Sequence, residues 1–127
     1  MSRHAVDLSL VVFAFNEERN VAPVLQEIDA WARARPESIE VVFVDDGSRD
    51  ATYLQAQSCR LKTPVSLNQH ATNRGIGAAL KTGVRHAKGQ WITFMPADGQ
   101  IDPQSLNALL DAQGEGDFDF VTSVYAD

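Results

Sequence analysis

Residues 39–50, IEVVFVDDGSRD, join an apolar, β-branched run to an abrupt polar ending, and that junction decides the fold. Ile39–Val44 suits a parallel strand covered on both faces, and Asp45-Asp46-Gly47-Ser48 stops it. Upstream, Leu8–Phe15 (LSLVVFAF) is a second such run. Between them Val21, Val24, Leu25, Ile28, Trp31 and Ala32 recur at helical spacing, with Pro23 in the first turn, where its missing N–H costs little. Downstream, Asp50 is placed to cap a helix carrying Leu54, and a weaker strand follows at Pro64–Asn68. Ile76–Ala87 carries an apolar stripe of Ile76, Ala79, Leu80, Val84 and Ala87. Trp91–Met95 reads as a fourth strand. Asp102-Pro103 then opens a helix with Leu106, Leu109 and Leu110, and Phe118–Val124 reads as a last strand. Strands alternating with helices predict an α/β domain with a mainly parallel sheet and crossover helices.

The chain has 127 residues, enough for one domain and its core. Its net charge of −6 argues against nucleic acid, which needs a concentrated basic face. A single cysteine, Cys59, excludes an internal disulfide framework and reads as a small helix filler. No apolar run is long enough to span a bilayer, and the first residues lack a signal-peptide core. The chain therefore reads as cytoplasmic, or at the cytoplasmic face of the membrane in a longer protein. It stops at Asp127 directly after a strand-like segment, which suggests the N-terminal part of a larger enzyme. An exposed sheet edge in such a piece could pair with a second copy, giving a homo-oligomer.

Ligands of open parallel sheets bind beyond the carboxyl ends of the strands. Three of those ends are polar here: Asn16-Glu17, Asp45-Asp46-Gly47-Ser48 and Asp98-Gly99-Gln100. Carboxylates gathered at one edge repel one another and raise each other's pKa unless a cation sits among them. Hard oxygen ligands suit Mg²⁺ or Mn²⁺, and these suit a diphosphate. Each segment also has a plainer reading: a helix start at Asn16-Glu17, or turns at Asp45–Ser48 and Asp98-Gly99. Asn73-Arg74-Gly75-Ile76-Gly77 opens a helix and offers an anion-binding N-terminus, but fails as a dinucleotide fingerprint because position 80 is leucine. His4, His70 and His86 lack metal-ligand spacing and read as surface or packing residues.

In order, VVFAFNEERNV (11–21), VVFVDDGSRDAT (41–52), NRGIGAALKTGVRHAKGQWITFMPADGQ (73–100) and DFDFVTSVYAD (117–127) resemble family 2 glycosyltransferases, particularly the polyprenyl-phosphate (dolichyl-phosphate) mannose or glucose synthase branch. The resemblance covers essentially the whole chain. It implies a three-layer α/β/α, Rossmann-like GT-A nucleotide-binding domain over residues 1–127. Phe15, Glu17, Asp45 and Asp46 then occupy the positions that hold nucleobase and ribose. Asn73, Arg74 and Gly75 line the pocket near the phosphates, and Asp98 with Gln100 marks the metal site.

The implied reaction is metal-dependent transfer of a sugar, with inversion, from a UDP- or GDP-sugar to an acceptor such as polyprenyl phosphate. No residue is assignable as the catalytic base, and these residues alone are expected to bind donor and metal without turnover. Three positions depart from the pattern. Pro96 stands where an Asp usually precedes the metal aspartate, Phe13 replaces a proline, and Thr122-Ser123-Val124 lacks a basic residue. The loss at Pro96 keeps a second reading open, a non-catalytic GT-A-like binding or assembly domain. The placement of the acid pair after the second strand and the absence of any lysine after Lys88 argue against a phosphoacceptor receiver domain.

Overall fold

The computed structural model describes residues 5–115. The expected strand at Phe118–Val124, His4 and the departure at Thr122–Val124 lie outside them. The apolar runs form strands β1 (Leu8–Ala14), β2 (Ile39–Asp45), β3 (Val65–Gln69) and β4 (Trp91–Pro96). All pair in parallel in the order β3-β2-β1-β4, with β1 joined to β2 from Leu8↔Ile39 to Ala14↔Asp45. Every residue of β2 is buried, as an uninterrupted apolar run in the middle of a sheet requires.

Alternation along β1 splits the core into two layers. Leu8, Leu10, Val12 and Ala14 face helix α1 (Val21–Ala34), helix α2 (Thr52–Ser58) and the segment after β4. Val11, with Val42 and Val44 of β2, faces helix α3 (Ile76–His86). The result is the expected α/β/α sandwich. On α1 the residues at helical spacing, from Val21 to Ala32, are all buried, so the amphipathic reading of this helix holds. The last helix differs at its start. Asp102 accepts the Gln104 N–H at 2.9 Å, but it begins a 3₁₀ turn over Pro103–Leu106, and α4 proper runs Asn107–Glu115.

Helix α3 corrects the expected apolar stripe. Its buried residues are Ala79 and Gly83, whereas Ile76 and Val84 are 61% and 47% exposed. A Cβ on Gly83 would lie 2.3 Å from Val11 Cγ1. The helix therefore meets the sheet through its smallest residues, and the large apolar ones are pushed to its flank. At α2, Asp50 caps from one position further out than a standard N-cap: Ala51 is the N-cap residue, and the Thr52 N–H reaches Asp50 Oδ1 at 3.0 Å. Cys59 follows the end of this helix as its C-cap, half-buried.

Candidate functional site

The carboxyl ends of β1, β2 and β4 and the start of α3 enclose a cleft of about 280 Å³. Its position follows from strand order, because β1 lies between β2 and β4 and all three stop at one edge.

The segment after β1 is stitched to the segment after β2. Asn16 takes a left-handed φ of 54°, donates its N–H to Ser48 Oγ at 2.8 Å and accepts the Arg49 N–H at 2.9 Å. The Glu17 N–H reaches Thr52 Oγ1 at 2.8 Å. These bonds turn the chain so that Phe15, 42% exposed, and Glu17 line the cleft. The Glu17 carboxylate accepts from Asn20 Nδ2 at 2.8 Å.

At the end of β2 the two aspartates behave as anchors. Asp45 is completely buried and does not line the cleft; it accepts the Ser48 N–H at 3.1 Å and Gln69 Nε2 at 3.3 Å. Asp46 reaches the cleft, yet its carboxylate is already taken. Oδ1 accepts the Arg74 N–H at 2.9 Å and lies 2.8 Å from His70 Nδ1. Oδ2 accepts the Gly75 N–H at 2.9 Å and Asn73 Nδ2 at 3.2 Å. A carboxylate offers about four acceptor positions, so these donors fill them. Burial pushes the Asp46 carboxyl up, but the Arg74 N–H, the His70 ring and the Gly75 N–H outweigh it and hold it below the usual carboxylate range.

Two expectations change as a result. Asp46 is stabilised as an anion by protein donors, not destabilised by neighbouring acids. The amides of Arg74 and Gly75, expected to meet a ligand anion before α3, are bonded to the protein's own carboxylate. Gly47 makes this tie possible: its φ is +72°, and a Cβ there would lie 2.2 Å from the Thr72 carbonyl carbon.

The end of β4 is open by contrast. The Ala97 N–H bonds Phe13 O at 2.9 Å, which fixes the backbone, and Asp98 follows half-buried in the cleft wall. Among the described residues the protein donor bonded to its carboxylate is the Gln100 N–H, at 3.0 Å. Phe13 and Pro96, two of the positions that depart from the family pattern, are directly paired across β1 and β4 and give the cleft an apolar wall. No group of three or more His, Cys, Asp or Glu side chains that could hold a metal occurs among the described residues. Asp98 nevertheless fits Mg²⁺ or Mn²⁺ in one respect: such ions are commonly held by one or two carboxylates, with substrate phosphates and water completing the shell.

Of the residues expected at the site, the fold brings Phe15, Glu17, Asp46, Asn73, Gly75 and Asp98 to one cleft. Asp45, Arg74 and Gln100 are not among its lining residues. Asp45 lies beneath the cleft, and Arg74 and Gln100 are exposed beside it. Sequence reasoning missed His70, which is buried and bonded on both ring nitrogens. The usable signal was its position: β3 ends at Gln69, so His70 also stands at the ligand-binding edge of the sheet.

Comparison with known proteins agrees with this architecture. The family model described as Glycosyl transferase family 2 matches residues 9–126. The chain is 34% identical over 108 residues to a dodecaprenyl-phosphate galacturonate synthase of Rhizobium johnstonii, covering 84% of this chain and 32% of that protein. It is 34% identical over 119 residues to an undecaprenyl-phosphate 4-deoxy-4-formamido-L-arabinose transferase of Pseudomonas fluorescens, covering 92% and 35%. The chain thus spans about a third of the length of these relatives. Among solved structures, S. aureus TarS in complex with UDP-GlcNAc superposes with a TM-score of 0.73 at 26% identity, over 86% of this chain and 31% of that one. With the family pattern spanning residues 9–126 and relatives at 34% identity over most of the chain, the chain belongs to glycosyl transferase family 2.

Proposed function

We propose that this chain is the donor-binding part of an inverting glycosyltransferase, holding a UDP- or GDP-sugar in the cleft with a divalent cation at Asp98. The observation that carries the reading is the contrast in commitment among the cleft carboxylates. Asp46 is saturated by protein donors, whereas among the described residues Asp98 accepts a single N–H, at Oδ1, which leaves Oδ2 for a cation. An acidic cleft cannot take a diphosphate without a cation to offset the repulsion.

Phe15 covers the base, and Glu17 accepts an imino N–H of uracil or guanine. Asp45, beneath the cleft, and Asp46, in its wall, act by fixing the turn at Gly47 and the backbone at Asn73–Gly75. Arg74 adds a permanent positive charge near the mouth. Gln100 serves through its backbone N–H, which orients the Asp98 carboxylate. The bound Mg²⁺ or Mn²⁺ would stabilise charge on the departing diphosphate.

The bond to form joins an acceptor oxygen to the anomeric carbon, and the bond to break joins that carbon to the diphosphate, which leaves with the electron pair. The relatives' names point to polyprenyl phosphate as the acceptor. Such an acceptor is already anionic and needs no base to deprotonate it.

Calorimetric titration with UDP and GDP, each with and without Mn²⁺, tests the reading on the parent chain and on Asp98→Ala. Metal-dependent binding of one nucleotide, lost in the variant, is the expected result. Binding of neither favours the second reading, a non-catalytic domain, for which Pro96 in place of a second acid is the specific observation.

A further inference from the structure

We infer that His70 is a positioning residue for the cleft: it aims the Asp46 carboxylate at the Arg74 and Gly75 amides and ties that carboxylate to α3. The inference rests on the proposed nucleotide site for its functional meaning, but the geometry stands without it. His70 follows β3, its backbone N–H bonds Asp45 O at 2.9 Å, and its side chain is 6% exposed. Nδ1 lies 2.8 Å from Asp46 Oδ1, and Nε2 lies 2.7 Å from Thr82 Oγ1.

The ring tautomer follows from its partner. Asp46 is held as an anion and can only accept, so Nδ1 carries the proton. Nε2 then accepts from the Thr82 hydroxyl in the neutral ring, or donates to it in the charged one.

The consequence reaches the cleft in two ways. The carboxylate that His70 orients also receives the amides of Arg74 and Gly75, and thereby sets the Asn73–Gly75 wall. Through Thr82 the same ring fixes α3, whose first turn supplies Ile76 and Ala79 to the cleft. A packing residue would fill space here. A positioning residue must also supply a directed N–H, and this difference can be measured.

The test uses the ¹⁵N-labelled 127-residue chain, first without nucleotide. Long-range ¹H–¹⁵N spectra should show the Nδ1–H form of His70, with the Arg74 and Gly75 amide protons shifted downfield by the carboxylate. His70→Phe should move both amide resonances upfield and weaken UDP or GDP binding about tenfold, the effect of one charge-assisted hydrogen bond. His70→Asn retains a donor near the Nδ1 position and should restore both readouts to within about threefold of the parent in affinity. Thr82→Val, which removes only the outer contact, should produce the same shifts at smaller size, and it serves as the readout if His70→Phe does not fold.

Unchanged amides in His70→Phe would overturn the inference. So would equal losses in the Phe and Asn variants that track melting temperature. If the parent binds no nucleotide, the proposed function fails, while the amide shifts still decide the role of His70.

Discussion

The ends of β2 and β4 look alike in sequence and differ in the fold. Each places an aspartate and then a glycine at the same edge: Asp46-Gly47 and Asp98-Gly99. After β2 the acid is buried among N–H donors and the glycine touches the backbone at Thr72. After β4, among the described residues, the acid accepts one N–H at Oδ1, and a Cβ on Gly99 would meet Val24 Cγ2 first, at 3.8 Å. Among the described residues, one carboxylate is filled by protein donors and the other accepts a single backbone N–H. The same short motif serves both ends, and the surroundings decide which role it takes.

Substituting the two glycines should separate the ends most strongly. Gly47→Ala places a methyl inside a backbone contact at positive φ and should cost more than about 3 kcal/mol in urea unfolding. Gly99→Ala meets only the φ penalty, about 1 kcal/mol. Comparable costs would erase the distinction.

The aspartates come next. Asp46→Ala strands the His70, Asn73, Arg74 and Gly75 donors and should destabilise by about 3 kcal/mol. Asp98→Ala should stay within about 0.5 kcal/mol of the parent in stability, while lowering Mn²⁺-dependent nucleotide affinity at least about tenfold. A stability loss at Asp98 with no change in binding would invert the assignment.

Pro96→Asp sharpens the comparison from the open side. A second acid beside Asp98 should raise Mn²⁺ affinity several-fold, to an extent on the order of that set by ligand charge count in other oxygen sites. Calorimetry with Mn²⁺ and UDP reads this directly, and an unchanged affinity would mean that Asp98 is not a ligand.

The smallest effect is in acid. Because the folded-state pKa of Asp46 is lowered, its contribution to stability is complete above the unfolded value of about 3.9 and is lost as pH falls through the folded value. Asp29 and Asp50 shift in the same direction, so the useful measurement is Asp46→Asn against the parent. The stability gap between the two should narrow below about pH 4. A gap constant down to pH 2, about two units lower, would remove Asp46 from the acid response.

Much of the fold was legible locally. The apolar runs of β1 and β2, the helical spacing on α1 and the polar strand ends are short-range patterns, and each led to the correct element and to the correct edge of the sheet. Where legibility failed, a contact between distant segments was responsible. The stripe on α3 was read from hydrophobicity, but the helix buries Ala79 and Gly83, because close approach to Val11 selects small side chains over greasy ones. His70 was read only as a surface or packing residue, because the histidines lack metal-ligand spacing and nothing local signals a bond to Asp46, 24 residues away in sequence.

By itself the sequence determined a parallel α/β domain of a recognisable family, with acids at one sheet edge, since strand burial and strand termination are written in runs of a few residues. Only the tertiary structure decided which acid is filled by protein donors and which, among the described residues, accepts a single N–H. The reason is physical: a carboxylate's availability depends on how many N–H groups surround it, and for Asp46 those donors arrive from 24 to 29 residues further along the chain.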